Sequence, residues 1–375
     1  MKIISTKQQL LNAVNIAGRA VAVKTTMPIL ECLLLDASEN GISVTANDSE
    51  LAINTVIPSD KCTVLEKGTV AIEAKLFGEI LRKISSMDDA EVTVSSDGNL
   101  VEISSEKAYF RIQEKDPVQF PELPNVSEDV KISLSEFTLK EIVKDTIFSI
   151  SVNDSNRMMT GELFEIRDNT LTVIALDGHR VSIRNTALSS NYEHVKAIIP
   201  GKTLSEVSKI VAGDAEKNIV ITFDTSYVSF RTDDTLIISR IIDGDYFRIE
   251  SMLTSDYDTK ITVNKKAFLD SIEQATVLIR ENDKKPLVLK IEDGKLSLRV
   301  NSLIGSLDTF IEAEKSGSDL MIAFNPKFLL DALRVIDSDE VTLYMTNPKA
   351  PCFIRDEEKT YIYLILPVNF NPAAY

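Results

Sequence analysis

The chain has 375 residues, too long for one typical domain, and sets an expectation of two or three. At 44% hydrophobic and 26% charged it has apolar material for several cores, and no apolar run approaches the roughly 20 residues of a membrane helix. A net charge of −16 excludes a surface that attracts nucleic acid everywhere.

The opening MKIISTKQQLLNAV turns polar too early for a secretory signal, so a cytoplasmic protein is expected. From residue 5, STKQQLLNAVNIAGRAV places apolar residues three and four apart, as at Leu11 and Val14, and reads as a helix. An alternating strand, 41-GISVTAND, follows a glycine turn, and 74-AKLFGEILRKI reads as a second amphipathic helix. A strand pair, 91-EVTVSS and 101-VEIS, then leads through Glu106-Lys107 to a further strand. The same four features return as 135-SEFTLKEIVKDTIFS, 169-NTLTVIALD, 200-PGKTLSEVSKIV, and 219-IVITF with 227-YVSF. They return again as 263-VNKKAFLDSIEQATVLI, 294-GKLSLRVNS, 325-NPKFLLDALRVI, and 341-VTLYM with 353-FIR. Asn325 before Pro326 suits an N-cap with proline at the first helical position. The chain thus reads as a threefold repeat of α+β domains, each with two helices plus β-sheets. Turn-rich 121-PELPNVSEDV and 252-MLTSDYD place the limits at 1–128, 129–255 and 256–375.

No chemistry recurs with the repeat. The sequence contains no GxxxxGK[ST] loop, HExxH helix, GxSxG elbow or CxxC pair. Cys32, Cys62 and Cys352 lie far apart, so neither a disulfide framework nor a clustered metal site is expected, and no cofactor is implied. The cluster 177-DGHR joins Asp, His and Arg after a strand, but catalysis there would need a nucleophile and an orienting partner that the sequence does not name. No catalytic residue is assigned. Charge is more informative. The six helical segments hold 15 basic and 8 acidic residues in an acidic chain, and the first carries Lys7, Arg19 and Lys24 with no acid. Helix propensity of Lys and Arg explains part of this; an anionic partner on the helical surface would explain more.

These residues resemble the bacterial DNA polymerase III beta subunits, the sliding clamps of replication. The likeness runs through all three repeats and is carried by 27-MPILECLLL, 175-ALDGHRVS, 325-NPKFLLDAL and 363-YLILPV. It implies three similar clamp domains (the DNA clamp fold) and a head-to-tail homodimeric ring, with helices lining the hole around duplex DNA. A processivity factor, not an enzyme, is implied. It would bind double-stranded DNA without reading sequence, the replicative polymerase catalytic subunit, the clamp loader, and other proteins bearing a clamp-binding motif. No membrane partner is implied. Lys24, Arg82 and Lys202 match basic positions facing DNA, and Arg19, Lys75, Lys83, Lys209, Lys265 and Lys266 join them on the helical segments. The resemblance also implies a peptide pocket between the second and third domains. Met159, Leu176, Gly178, His179, Arg180, Val181 and Phe247 would form one wall, and Asn325, Phe328, Leu364, Leu366, Pro367 and Val368 the other. At the dimer junction Phe110 and Ile112 would meet Leu278 and Ile279. Leu176 stands where the family usually has threonine, Phe247 where proline is common, and Asn369 to Tyr375 extend past the usual end. The arginine of 156-NRMMTG is displaced by one place, so Arg157 is assigned no role.

Two rival readings belong to other classes. One is an acidic repeat scaffold that binds proteins without nucleic acid, and the other an enzyme built on Asp177, His179 and Arg180.

Overall fold

The computed structural model describes residues 1–127, 130–152, 156–253, 256–279 and 285–372. The expected repeat limits at 128 and 255 and the last three residues of the C-terminal extension therefore lie outside the described residues. Six α-helices are present among those described: α1 (Lys7–Ala17), α2 (Ala74–Lys83), α3 (Glu136–Thr146), α4 (Gly201–Ile210), α5 (Lys265–Thr276) and α6 (Pro326–Val335). Two helices thus fall in each expected repeat, and each lies where a helical segment was read. The first begins later than the periodicity predicted. Residues Lys2–Thr6 form a strand, Thr6 caps the helix by accepting from the Gln9 N–H, and the buried face is Leu10, Ala13, Val14 and Ala17, with Leu11 only half-buried.

One position shows the triplication at atomic detail. The first residues of α1, α3 and α5 are Lys7, Glu136 and Lys265, each 129 residues from the last. Their backbone N–H groups donate to Ala90, Lys217 and Asp339 carbonyls respectively. Each side chain then reaches the end of the following helix of its own repeat. Lys7 Nζ donates to the Ser85 carbonyl at 3.0 Å and Lys265 Nζ to that of Ile336 at 2.6 Å, whereas Glu136 Oε2 accepts from the Gly213 N–H at 3.2 Å. A helix C-terminus presents unpaired carbonyls, which an ammonium satisfies; in the central repeat a carboxylate at the same position instead accepts from the N–H of a residue just past the helix.

The described residues gather into two compact units, 1–139 with 202–241 and 140–201 with 242–375. In the first, a five-stranded sheet has edges at Cys62–Glu66 and Tyr109–Gln113, and an eight-stranded sheet runs from Val130–Ser135 to Gly68–Glu73. The eight-stranded sheet is continuous because Thr235–Arg240 pairs antiparallel with Leu51–Pro58, joining strands of the first and second repeats. In the second unit a ten-stranded sheet does the same for the second and third repeats, through Arg180–Pro200 against Tyr361–Ile365. Sheet continuity thus divides the strands of the central repeat between the two units.

The second unit's helical core includes Phe268, Ile272, Leu329 and Leu333 against Ile261, Leu343, Ile354 and Ile365. Side chains alternate along strands, so the opposite face of that sheet carries a separate apolar cluster with Leu176, Val181, Tyr344, Phe353, Ile362 and Leu364. Glu162 lies within this unit and is fully buried. Its Oε2 stands 2.9 Å from Thr146 Oγ1, while its Oε1 has no partner among the described residues.

Candidate functional site

On the face away from the helices, the second unit holds a cavity of about 210 Å³. It is lined by Met159, Leu176, Gly178, Arg180, Val181, Phe247, Leu364 and Leu366, all expected, and by Arg248, Ile249 and Met252, which were not. The last three lie on the irregular stretch after Ile241, where no period marks an inward face. Three adjacent strands supply the floor: Leu176 pairs with Val181 and Val181 with Leu364.

The DGHR element is a tight turn. Gly178 has φ +85°, and Asp177 Oδ1 accepts from the His179 and Arg180 N–H groups at 2.9 and 3.1 Å. Asp177 Oδ2 accepts from Arg180 Nε at 3.0 Å, so the carboxylate that a catalytic reading would use is committed to the turn. Arg180 is buried and held at all three of its nitrogens. Its Nη1 reaches Asp331 Oδ2 at 2.6 Å, its Nη2 donates to the Phe148 carbonyl, and its guanidinium stands 4.6 Å from the Phe328 ring centroid. Three of its five N–H donors are thus committed within the protein, so it props the cavity wall.

The remaining expected wall residues lie outside the cavity lining. His179 is exposed, stacks on Phe328 with ring centroids 6.1 Å apart, and accepts through its carbonyl from the Leu366 N–H. Asn325 caps α6 by accepting from the Lys327 N–H at 3.0 Å, which accounts for its side-chain oxygen. Pro367 follows the last lining residue and is half-buried. Val368 belongs to a separate cavity of about 560 Å³ with Asp258, Leu320 and Phe370, its N–H held by the Ala323 carbonyl. The strand ends at Ile365, so Leu366 and Val368 diverge beyond it.

The expected cations divide into free and committed groups. In the first unit Arg19, Lys75 and Arg82 share one cleft of about 850 Å³, with Glu31 and Glu73. Lys24, Lys75 and Lys83 are exposed and have no ionic partner among the described residues. Among the described residues, the Arg82 side chain makes only a long contact, 3.4 Å, to Asn15. By contrast Arg19 and Lys209 both pair with Glu206, at 2.7 and 2.8 Å. Burial alone would raise the Glu206 carboxyl, but hydrogen bonds from Lys209 and Arg19 outweigh it and hold its pKa below the usual carboxylate range. Lys202 pairs with Asp48 and Lys266 with Asp270. Lys265, half-buried, is spent on the Ile336 carbonyl. A count of basic residues on helices could not separate these groups: Lys209 and Lys266 meet acids of their own helices, but Arg19 and Lys202 are neutralised by Glu206 and Asp48, far away in the chain.

Phe110 and Ile112 lie on the edge strand Tyr109–Gln113, directly opposite Ile103 and Val101. Leu278 and Ile279 follow α5 and pack against the core of the second unit. They adjoin a second open edge that the sequence reading missed. Along Gly305–Gly317, residues 305–312 pair with 295–302 on one side, and only from Ala313 onward does Thr259–Asn264 occupy the other. Phe310 (66% exposed) lies on this open stretch and Leu303 (95%) just before it, and Val277 (78%) precedes Leu278, whose side chain reaches Gly305.

Three family models match the chain in succession: the N-terminal domain of the DNA polymerase III beta subunit over 1–124, its central domain over 133–247 and its C-terminal domain over 250–369. The beta sliding clamp of Bacillus subtilis (strain 168) is 31% identical, with 98% of this chain and all of that protein covered. Among solved structures, a putative DNA polymerase III beta subunit from Eubacterium rectale is 51% identical with a TM-score of 0.94, covering 99% of this chain and 100% of that one. The B. subtilis sliding clamp gives a TM-score of 0.95 at 31% identity, with the same coverage. From its repeated architecture and these matches along its whole length, the chain belongs to the DNA polymerase III beta subunit family, the bacterial sliding clamps.

Proposed function

We infer that the chain acts as a DNA sliding clamp in the cytoplasm: two copies close head to tail into a ring that encircles duplex DNA and holds the replicative polymerase on it. The three clamp domains are assigned to 1–128, 129–255 and 256–375. The observation that carries ring closure is the presence in one chain of two unpaired strand edges, Tyr109–Gln113 and residues 305–312, each beside partly exposed apolar side chains. Unpaired edges are templates for strand addition. Joining one to the other in a second copy would extend a sheet across each junction. Phe110 and Ile112 would then meet Leu278 and Ile279, with Phe310 and Leu303 shielded from water.

DNA contact is assigned first to the unpaired cations Lys24, Lys75, Arg82 and Lys83. Arg19, Lys202, Lys209 and Lys266 must exchange their carboxylate partners for phosphate and so contribute less. Lys265 is assigned to helix capping. Phosphate contacts without base contacts bind all sequences alike and permit sliding. The 210 Å³ apolar cavity is the docking point for short apolar segments of the polymerase, the clamp loader and other partners. The experiment is retention after loading: rings should persist on nicked circular DNA and leave linear DNA by its ends. Equal residence on both would overturn topological tethering.

A further inference from the structure

The floor of the cavity does not stop at its rim. Leu176, Val181, Leu364, Phe353, Tyr344 and Lys260 are successive directly opposed residues on six neighbouring strands, forming one ladder across the sheet. Five of the six are buried and apolar or aromatic, and the sixth is a cation. Lys260 Nζ stands 5.7 Å from the Tyr344 ring centroid, and the guanidinium carbon of Arg355 stands 4.7 Å from the same ring. Tyr257 closes on Tyr344 edge-on, with centroids 5.1 Å apart. Arg355 lies two residues beyond Phe353 on its strand, so both cations share the cavity's face, opposite the helical core. In a chain of net charge −16, whose cations are widely ion-paired, neither the Lys260 nor the Arg355 side chain has an ion-pair or hydrogen-bond partner among the described residues. Glu314, diagonal to Lys260 by register, is not within ion-pair distance.

We propose that Lys260 and Arg355, held over Tyr344, form an acid-reading extension of the peptide pocket that selects partner segments carrying carboxylates beside their apolar anchor. This rests on the reading of the cavity as a peptide pocket and adds a specificity determinant to it. Aromatic contact fixes both cations beforehand, so an arriving carboxylate need not order two long side chains. From Leu364 to Lys260 is three strand steps, about 14 Å, which an extended peptide covers in about four residues. A peptide is favoured over nucleic acid because the cations continue the apolar floor and occupy the sheet face turned away from α5 and α6.

The test is fluorescence anisotropy with the full chain and labelled peptides carrying a Leu-Phe anchor. Glu, Gln or Lys occupies positions four and five residues away, on the N-terminal side in one set and the C-terminal side in the other. In one set the Glu peptide should bind about three- to tenfold more tightly than the Gln peptide, with the gap narrowing at high salt. The Lys260→Gln/Arg355→Gln variant should lose that gap and bind the Gln peptide as before, with an unchanged melting curve. Lys260→Glu/Arg355→Glu should prefer the Lys peptide. Equal binding of Glu and Gln peptides in both sets would overturn the proposal, as would a gap that survives the double substitution. A larger loss of duplex DNA binding than of Glu-peptide binding would also overturn it, reassigning the cations to phosphate. A Gln peptide that fails to bind, or binds Leu366→Asp equally well, would overturn the pocket itself and the extension with it.

Discussion

Replacing Glu162 by glutamine should stabilise the protein at neutral pH and abolish part of its pH dependence. Thr146 Oγ1 lies 2.8 Å from the Ile142 carbonyl and 2.9 Å from Glu162 Oε2. One hydroxyl has one proton. If the carbonyl takes it, the contact with Glu162 requires a protonated carboxyl donating back to Oγ1. Burial acts in the same direction and is the larger cause: it pushes the Glu162 pKa up to about 8. The unfolded chain ionises near the ordinary value of about 4.3, so native stability is greatest below that pH. It is lost progressively as pH rises towards 8. At pH 7 the loss is on the order of 3–4 kcal/mol relative to a neutral side chain. Glutamine keeps a donor towards Thr146 but adds one unpaired N–H, returning about 1–2 kcal/mol. The net gain of about 2 kcal/mol corresponds to a midpoint roughly 4–8 °C higher if about 200 residues melt together. Calorimetry of both proteins from pH 4 to 8 should show Glu162→Gln the less stable at pH 4 and the more stable at pH 7. The curves should cross between. Parallel curves across that range, or a variant less stable throughout, would refute a buried neutral acid.

Lysine at both Leu278 and Ile279 should give a folded monomer by sedimentation, because the charges would lie in the apolar junction; a persistent dimer would reject that assignment. Lys24→Gln should weaken association with every duplex sequence alike and lower the salt slope by about 1. Lys202→Gln should change the slope much less, since Lys202 is neutralised by Asp48 within the same unit. Equal slopes for the two variants would show that the ion pair is no barrier to phosphate contact.

Six helices, the threefold order of elements and the turn at 177-DGHR were legible in the sequence because their signals are local. Apolar spacing of three and four marks a helix face, Asn325-Pro326 marks its start, and Asp177 next to Gly178 marks a turn. Much of the pocket was legible only through family resemblance. Arg180 shows the limit of that route: the motif identified the residue, but only the fold showed its guanidinium committed to Asp177, Asp331 and Phe148. The equivalence of Lys7, Glu136 and Lys265 escaped residue-type comparison because opposite charges satisfy complementary backbone groups at one position. Strand partners escaped for a more general reason. Which edge Thr235–Arg240 meets, and which stretch of Gly305–Gly317 meets none, depends on backbone hydrogen bonds between residues far apart in the chain. A strand's own sequence gives its period and its buried face; the neighbour that fills or leaves open its hydrogen-bonding edge is decided only when the sheets assemble.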